Sequence, residues 1–138
     1  MWLIYGLGSA FFAGVTSILA KCGIRKTDSN VATAVRTIVV LLFSWLMVFL
    51  TGSESEIFSI DKGTMCFLIL SGAATGASWL CYYRALQLGP ASAVAPVDKL
   101  SILVTTAFSY LVFGERLSGR SAAGLALLTA GTVLMAVV

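Results

Sequence analysis

Apolar residues follow one another along this chain in five long runs, separated by short segments that carry most of the charged residues. A helix needs roughly 20 apolar residues to cross hydrocarbon, whereas barrel strands need about ten and alternate in polarity. These runs are long and do not alternate, so the pattern predicts an all-α membrane protein. We expect one domain over residues 1–138, a bundle of about five transmembrane helices at 2–22, 31–51, 64–88, 92–113 and 120–138.

Charge and composition support this interpretation. Charged residues make up 11% and hydrophobic residues 59% of the 138 residues, whereas a soluble domain carries about 25% charged residues. The net charge of +3 is not clustered, so we expect anionic lipid, not nucleic acid, as the partner. No basic stretch precedes the first run, which favours a spanning helix over a cleaved signal peptide. Cys22, Cys66 and Cys81 lack metal-ligand spacing and are expected to be free thiols, with no metal or cofactor.

Local signals mark the ends of the predicted helices. The segment Asp28-Ser29-Asn30 offers an N-cap for the second span, and Ser118 offers one for the fifth. Gly89-Pro90 ends the third span, because glycine suits a helix end and proline cannot continue a helix. Pro96 falls in the first turns of the fourth span, where proline is tolerated.

Hydroxyl and charged residues inside the spans fall on single helical faces. In the fourth span the spacing is three, four and four, and in the third span four, three and four. Two polar faces on consecutive spans predict either a cavity for a solute or hydrogen bonds within a dry bundle. The residues are Asp98, Ser101, Thr105 and Ser109 in the fourth span, and Ser71, Thr75, Ser78 and Tyr82 in the third.

Ionisable residues near one end of the spans form a layer rich in cations. The Gly89-Pro90 connection places Arg84 and Asp98 at similar depth, and Lys21, Arg36 and Lys99 join them. The layer indicates either a site for an anionic or zwitterionic solute or basic side chains that extend to the interface. We favour the second interpretation for Arg84 and leave both open for Arg36.

Asp98 is the acid of this layer, and its short side chain cannot reach far. It should exchange protons or hold a solute amine, unless it pairs with a basic residue or lies at the headgroup level. As a pairing partner, adjacent Lys99 is the poorest, since neighbouring helical side chains point about 100° apart. The candidate residues of the solute path are Asp98, Lys99, Ser101, Thr105, Ser109, Ser78, Tyr82 and Arg36.

Small residues recur every fourth position in three spans. Such rows let helix backbones approach closely in lipid. They predict close packing either within the chain or across a dimer. The rows are Gly6, Ala10 and Gly14; Gly72 and Gly76; Gly119 and Ala123.

The segments ALQLGP (85–90), FGERLS (113–118) and GLALLTAGTVLMA (124–136) carry a resemblance to a known family. Over essentially its whole length the chain resembles the EamA-type domain of the drug/metabolite transporter superfamily. The resemblance implies a secondary transporter of small metabolites, not an enzyme, and we expect a multi-pass protein of the bacterial cytoplasmic (inner) membrane. Glu115 matches a position typical of the family, and at a helix boundary we interpret it as structural.

Members of that family typically carry two such domains in tandem, and this chain has one. Transporter sites usually lie between repeats of inverted topology. A lone domain is one half of such a fold, so we expect a homodimer, parallel or antiparallel. Alternatives are a lipid-linked carrier or flippase, and a subunit that packs against a partner without transporting. Basic residues number three on each side, or three against six with the span-embedded cations, which allows dual topology with a lean toward N-terminus out. The three on the N-terminal side are Lys62, Arg116 and Arg120, against Lys21, Arg25 and Lys26.

Overall fold

A computed structural model describes residues 1–137 as helices joined by short connections, with no strand in that range. Five segments are long and apolar enough to cross a membrane, so the prediction of an all-helical membrane protein with five spans is confirmed. The last residue of the predicted fifth span, Val138, lies outside the described residues. The helices are α1 (Trp2–Gly23), α2 (Ser29–Thr51), α3 (Lys62–Leu88), α4 (Ala91–Asp98), α5 (Ser101–Phe113) and α6 (Gly119–Val137), with a 3₁₀ helix at Glu54–Ser59.

The predicted caps are present at two helix starts. The Asp28 carboxylate accepts hydrogen bonds from the backbone N–H groups of Asn30 at 2.8 Å and Val31 at 3.3 Å. The Ser118 hydroxyl accepts one from the N–H of Ser121 at 3.2 Å. Each bond satisfies a donor that the first helical turn leaves without an intrahelical partner. The cap predictions for α2 and α6 are therefore confirmed.

The fourth span departs from the expected continuous helix. It ends as α4 at Asp98 and resumes as α5 at Ser101. Across the break the backbone bonds join residues three apart, such as Lys99 N–H to Pro96 C=O and Ile102 N–H to Lys99 C=O. Pro96 itself lies inside α4, which continues for two residues beyond it, so the expectation that proline is tolerated in these first turns agrees with the structure. The interruption follows at Lys99 and Leu100.

The described chain divides into two compact units. One consists of Met1–Leu19 and the chain from Leu88 onward; in it α4 packs on α6, and Thr132 of α6 is buried. The other is Ala20–Gln87, which holds the buried apolar side chains Ile24, Tyr83 and Leu86. Most other large apolar side chains are exposed on the isolated chain, as expected of helices whose outer faces meet lipid.

Asp61 lies just before α3 and caps it. The hydrogen bond from the Thr64 side chain, helped by the backbone N–H of Thr64, holds the pKa of the Asp61 carboxyl below its ordinary value. Since the pKa is lowered, the cap stabilises the folded chain at neutral pH and is lost as acid protonates the carboxylate. Asp61 therefore belongs to the connection that begins α3, outside the apolar span.

Replacing Gly114 by Ala is expected to lower the free energy of unfolding by about 1 kcal/mol, because Gly114 ends α5 at φ +67°, a left-handed conformation that side chains disfavour. Gly124→Ala is the matched control: Gly124 lies inside α6 with open space around a built Cβ, so the same added methyl should be neutral or stabilising. Thermal unfolding in mild detergent measures both variants. Equal stability of the two would contradict this role of Gly114.

Candidate functional site

The interrupted fourth span places two charged residues at its break. Asp98 is the last residue of α4, and Lys99 follows in the turn. The Lys99 ammonium lies 3.9 Å from the Asp98 carboxylate, and their side chains are 58% and 40% exposed. The expectation that Lys99 is the poorest partner for Asp98 is thus wrong, since the helix ends between them and frees both side chains. A loose pair of this kind leaves the carboxylate available to other groups.

The polar residues beyond the break share a face of α5 but differ in their contacts. Ser101 and Thr105 are exposed, whereas the Ser109 hydroxyl donates a short hydrogen bond to the Glu115 carboxylate. Asp98 belongs to a separate helix, so the predicted stripe of four is a row of three on α5 next to a charge at the break. Ser109 is held by the turn after α5, which favours a structural role for this member of the row.

Glu115 fastens the turn that follows α5. Its carboxylate accepts from Ser109 and its backbone N–H bonds to the Ser109 carbonyl at 3.4 Å, while Gly114 makes the left-handed turn between them. The interpretation of Glu115 as structural agrees with these contacts. An open pocket of about 600 Å³ lies beside it, lined by Thr106, Ala107, Tyr110, Glu115, Arg116 and Leu117.

In the unit of residues 20–87, Arg36 of α2 contacts two aromatic rings of α3. Its guanidinium carbon lies 4.4 Å from the centre of the Trp79 ring and 5.4 Å from the centre of the Tyr83 ring. Trp79 and Tyr83 are four residues apart and therefore share one face of α3. A cation over an aromatic face gains about 0.5–2 kcal/mol, more when water is excluded. These contacts join α2 to α3 through a charged group.

The polar row predicted on α3 lies beside the face that carries Trp79 and Tyr83. Ser78 and Tyr82 each precede a ring partner of Arg36 by one residue, so they lie about 100° around the helix from it. Ser78 is exposed, and the ring of Tyr82 lies 6.0 Å from that of Tyr83. Sequence reasoning missed Trp79 and Tyr83. Two aromatic residues at helical spacing next to a cation in the preceding span were the signal that could have identified them.

The connection between α1 and α2 is tied to the end of α3. The Lys21 ammonium donates to the Leu86 carbonyl, and the Gln87 amide donates to the carbonyls of Thr27 at 3.0 Å and Ile24 at 3.4 Å. Arg84 in turn donates to the Gln87 side chain at 2.7 Å. The extension of Arg84 to the interface stays a prediction, and within the chain its partner is Gln87. This network uses two of the cations that the layer was predicted to offer to a solute.

A second opening lies elsewhere in the same unit, where α2 ends and α3 begins. It is an open cavity of about 490 Å³ whose lining includes Ser44, Trp45, Glu56, Asp61 and Thr64. The polar connection predicted between these spans forms part of the wall as the 3₁₀ helix. Of its two acidic lining residues, Glu56 belongs to that helix and Asp61 caps α3.

The glycine rows make no close packing contact within the described chain. A Cβ built on any of them meets no heavy atom of another element within 4 Å; the residues are Gly6, Gly14, Gly72, Gly76 and Gly119. Close approach is the reason for such rows in membrane helices. Whether these rows pack within the chain or across a dimer stays a prediction. The three cysteines are unbridged, as predicted.

Five apolar helices, one of them interrupted at a charged pair, define a multi-pass membrane protein with ionisable groups inside its spans. Residues 1–137 match the model of the EamA-like transporter family, and the chain belongs to this family. The resemblance inferred from the ALQLGP and FGERLS segments is thereby confirmed. Membership makes the protein a membrane transporter, and the broad functional prediction is confirmed to that extent.

Two relatives match over almost their whole length. A protein of a Sinorhizobium species called "uncharacterized transporter in cobO 3′region" is 45% identical over 136 residues, covering 99% of this chain and 96% of that protein. An uncharacterized protein of Methanocaldococcus jannaschii is 26% identical over 144 residues, covering 98% of this chain and 96% of that protein. Both relatives are thus also of one-domain length. No solved structure gives a significant match.

Proposed function

We propose that this protein is a secondary transporter of a small metabolite, working in a bacterial cytoplasmic (inner) membrane as a dimer of five-helix domains. The observation that carries the proposal is the interrupted fourth span, with Asp98 and Lys99 at the break. Discontinuous spans form the substrate and ion sites of many secondary transporters, and here the interruption places two charged residues inside a span. Ionisable residues inside spans usually face such a site.

Asp98 is the proposed coupling or solute-binding group, and α5 continues the path beyond it. Ser101 and Thr105 are exposed on one face of α5 and offer hydroxyls to a passing solute. Lys99 adds a cation beside Asp98. Ser78 and Tyr82 on α3 and Arg36 on α2 remain candidates for solute contacts, whereas Ser109 contributes through the turn that Glu115 holds.

The proposed dimer is supported by two relatives of similar length and by the open glycine rows. Substrate sites of secondary transporters usually form between two repeats, and the two relatives, like this chain, align as one domain. Glycines without close neighbours on α1 and α3 give a second copy places for backbone contact. The two domains are arranged antiparallel if both insertion orientations occur.

Counterflow into liposomes tests the function directly. Purified protein in vesicles preloaded with a pooled metabolite extract should accumulate one chemical class of labelled solute well beyond protein-free vesicles. Exchange of a solute class without consumption of another substrate is what a secondary transporter produces. The matching control is the same vesicle preparation made without an outward solute gradient. Vesicles that exchange no soluble metabolite but translocate a lipid-linked probe would contradict the proposal and support a flippase.

A further inference from the structure

Arg36 is held inside the membrane-spanning part of its unit rather than at the helix end. It lies seven residues after the start of α2 at Ser29, about 10 Å along the helix. Trp79 and Tyr83 lie nine and five residues before the end of α3. Because the guanidinium sits over these rings, extension to the interface does not describe its position. Of the two interpretations given for Arg36, the solute site is therefore favoured over extension to the interface.

The contacts of Arg36 leave its hydrogen-bond donors unused. A guanidinium lying over a ring uses its face, whereas its five N–H donors point outward in its plane. In the part of the chain that the structure describes, Arg36 has no hydrogen-bond acceptor, and no carboxylate lies within 4.0 Å of it. Two other cations of this unit, Lys21 and Arg84, donate to Leu86 and Gln87. Arg36 differs from these two in having no hydrogen-bond acceptor among the described residues.

A second donor beside it also lacks a partner. Tyr83 is 2% exposed, and its hydroxyl has no hydrogen-bond partner among the described residues. A buried hydroxyl without a partner is costly, so such groups usually mark a bound water or ligand. Together the guanidinium and the phenol form a donor-rich, acceptor-poor spot between α2 and α3. A group that carries oxygen acceptors and negative charge would satisfy both donors and balance the cation.

We propose that Arg36, positioned on the Trp79 and Tyr83 rings, binds the oxyanion group, carboxylate or phosphate, of the transported solute. This inference rests on the proposed transport function and names its substrate class as anionic. The planar fork of arginine matches two oxygens of a carboxylate or phosphate at once. The rings hold the guanidinium by its face and set the plane in which those oxygens bind. Binding of the oxyanion also neutralises the Arg36 guanidinium, so the span no longer carries an uncompensated charge.

Trp79 is a built-in reporter of this site. Its emission responds to the charge over its ring, and Trp2→Phe with Trp45→Phe leaves it as the remaining tryptophan. The protein in phosphatidylcholine vesicles is titrated with succinate and with inorganic phosphate at constant ionic strength. We expect a saturable change in Trp79 emission with at least one of them, and none with chloride or tetramethylammonium. A response identical for all four ions would overturn the proposal.

Variants separate binding from folding. Arg36→Gln should weaken oxyanion binding about 10- to 100-fold, the range expected for one charge-assisted contact. Arg36→Lys keeps the cation over the rings but loses the planar fork, so its affinity should lie between those of wild type and Arg36→Gln. If Arg36→Gln folds poorly, Arg36→Lys still tests the proposal. Arg84→Gln is the matched control, since it removes a cation of the same unit whose partner is Gln87. Equal affinity for wild type, Arg36→Lys and Arg84→Gln would overturn the assignment.

A lipid headgroup offers the same chemistry and is distinguished by vesicle composition. If phosphatidylglycerol alone changes Trp79 emission and soluble oxyanions cannot reverse the change, the site binds lipid and the solute proposal fails. Counterflow separates the remaining cases. Exchange of cationic solutes without a Trp79 response leaves transport standing and rejects the anion site. Oxyanion binding at Trp79 without counterflow of any solute rejects the transport function instead.

Discussion

Asp98→Asn is expected to insert and fold normally, to lose about tenfold or more of its transport rate and to lose the pH dependence of transport. The carboxylate is the acid at the break of the fourth span. An amide of the same size cannot take up a proton or hold a solute cation by charge. Transport by reconstituted vesicles, measured across a pH series, reports both effects, and a hydrogen bond to a charged group is large enough to account for a tenfold loss.

Normal folding of this variant follows from the contacts of Asp98. Its one ion pair among the described residues joins it to Lys99 at 3.9 Å, with both side chains partly exposed. Exposed pairs contribute about 0–1 kcal/mol, whereas removing one partner of a buried pair costs about 3–5 kcal/mol. The helix packed on α4 is α6, whose charged side chain is Arg120 in its first turn. Loss of transport therefore reports function rather than collapse of the fold.

Lys99→Gln serves as the matched control. It removes the same ion pair but leaves the carboxylate, so transport should keep its pH dependence if Asp98 itself exchanges protons. Identical behaviour of the two variants would show that the pair, not the carboxylate, matters. Normal expression together with normal, pH-dependent transport in Asp98→Asn would reject the assignment altogether.

Replacing the glycine rows by leucine is expected to break the dimer and abolish transport while the monomer stays folded. Gly72→Leu with Gly76→Leu alters α3, and Gly6→Leu with Gly14→Leu alters α1; a Cβ at each site meets open space in the chain. If a second copy packs against either row, overpacking should weaken the dimer about 10- to 100-fold. Light scattering of the detergent-solubilised protein measures its mass.

Ala74→Leu is the control for α3, because it introduces the same leucine side chain two positions from each glycine, about 200° around the helix. It should leave mass and transport unchanged. A dimer that survives replacement in both rows, or a wild type that is monomeric in mild detergent, would contradict the dimer. A reporter fused to the C-terminus then shows the arrangement: signal on both membrane faces indicates antiparallel copies, and signal on one face indicates parallel copies.

Residue spacing predicted the polar rows of the candidate site. It did not predict which side chains contact each other. The polar rows of the third and fourth spans are visible in the chain because helical spacing is a local property. Spacing cannot show that Ser109 donates to Glu115, or that Arg36 lies over Trp79 and Tyr83 instead of beside Tyr82. Side-chain partners depend on how neighbouring helices are rotated about their axes.

The sequence by itself determined the class of this protein and the ends of most helices. Run length against bilayer thickness sets the number of spans, and Asp28 and Ser118 cap helices through bonds to residues two or three positions away. Such features depend on only a few consecutive residues, so they can be predicted from the sequence alone.

Only the tertiary structure decided the interruption after Pro96 and the partners of the charged residues. A proline early in a span is compatible with a smooth helix or with a break, and the packing of α4 on α6 accompanies the break here. Lys21 and Leu86 are 65 positions apart, and Ile24 and Gln87 are 63 apart, yet each pair is joined by a hydrogen bond. Contacts at such separations exist only once helices pack, because packing sets which donors and acceptors face each other.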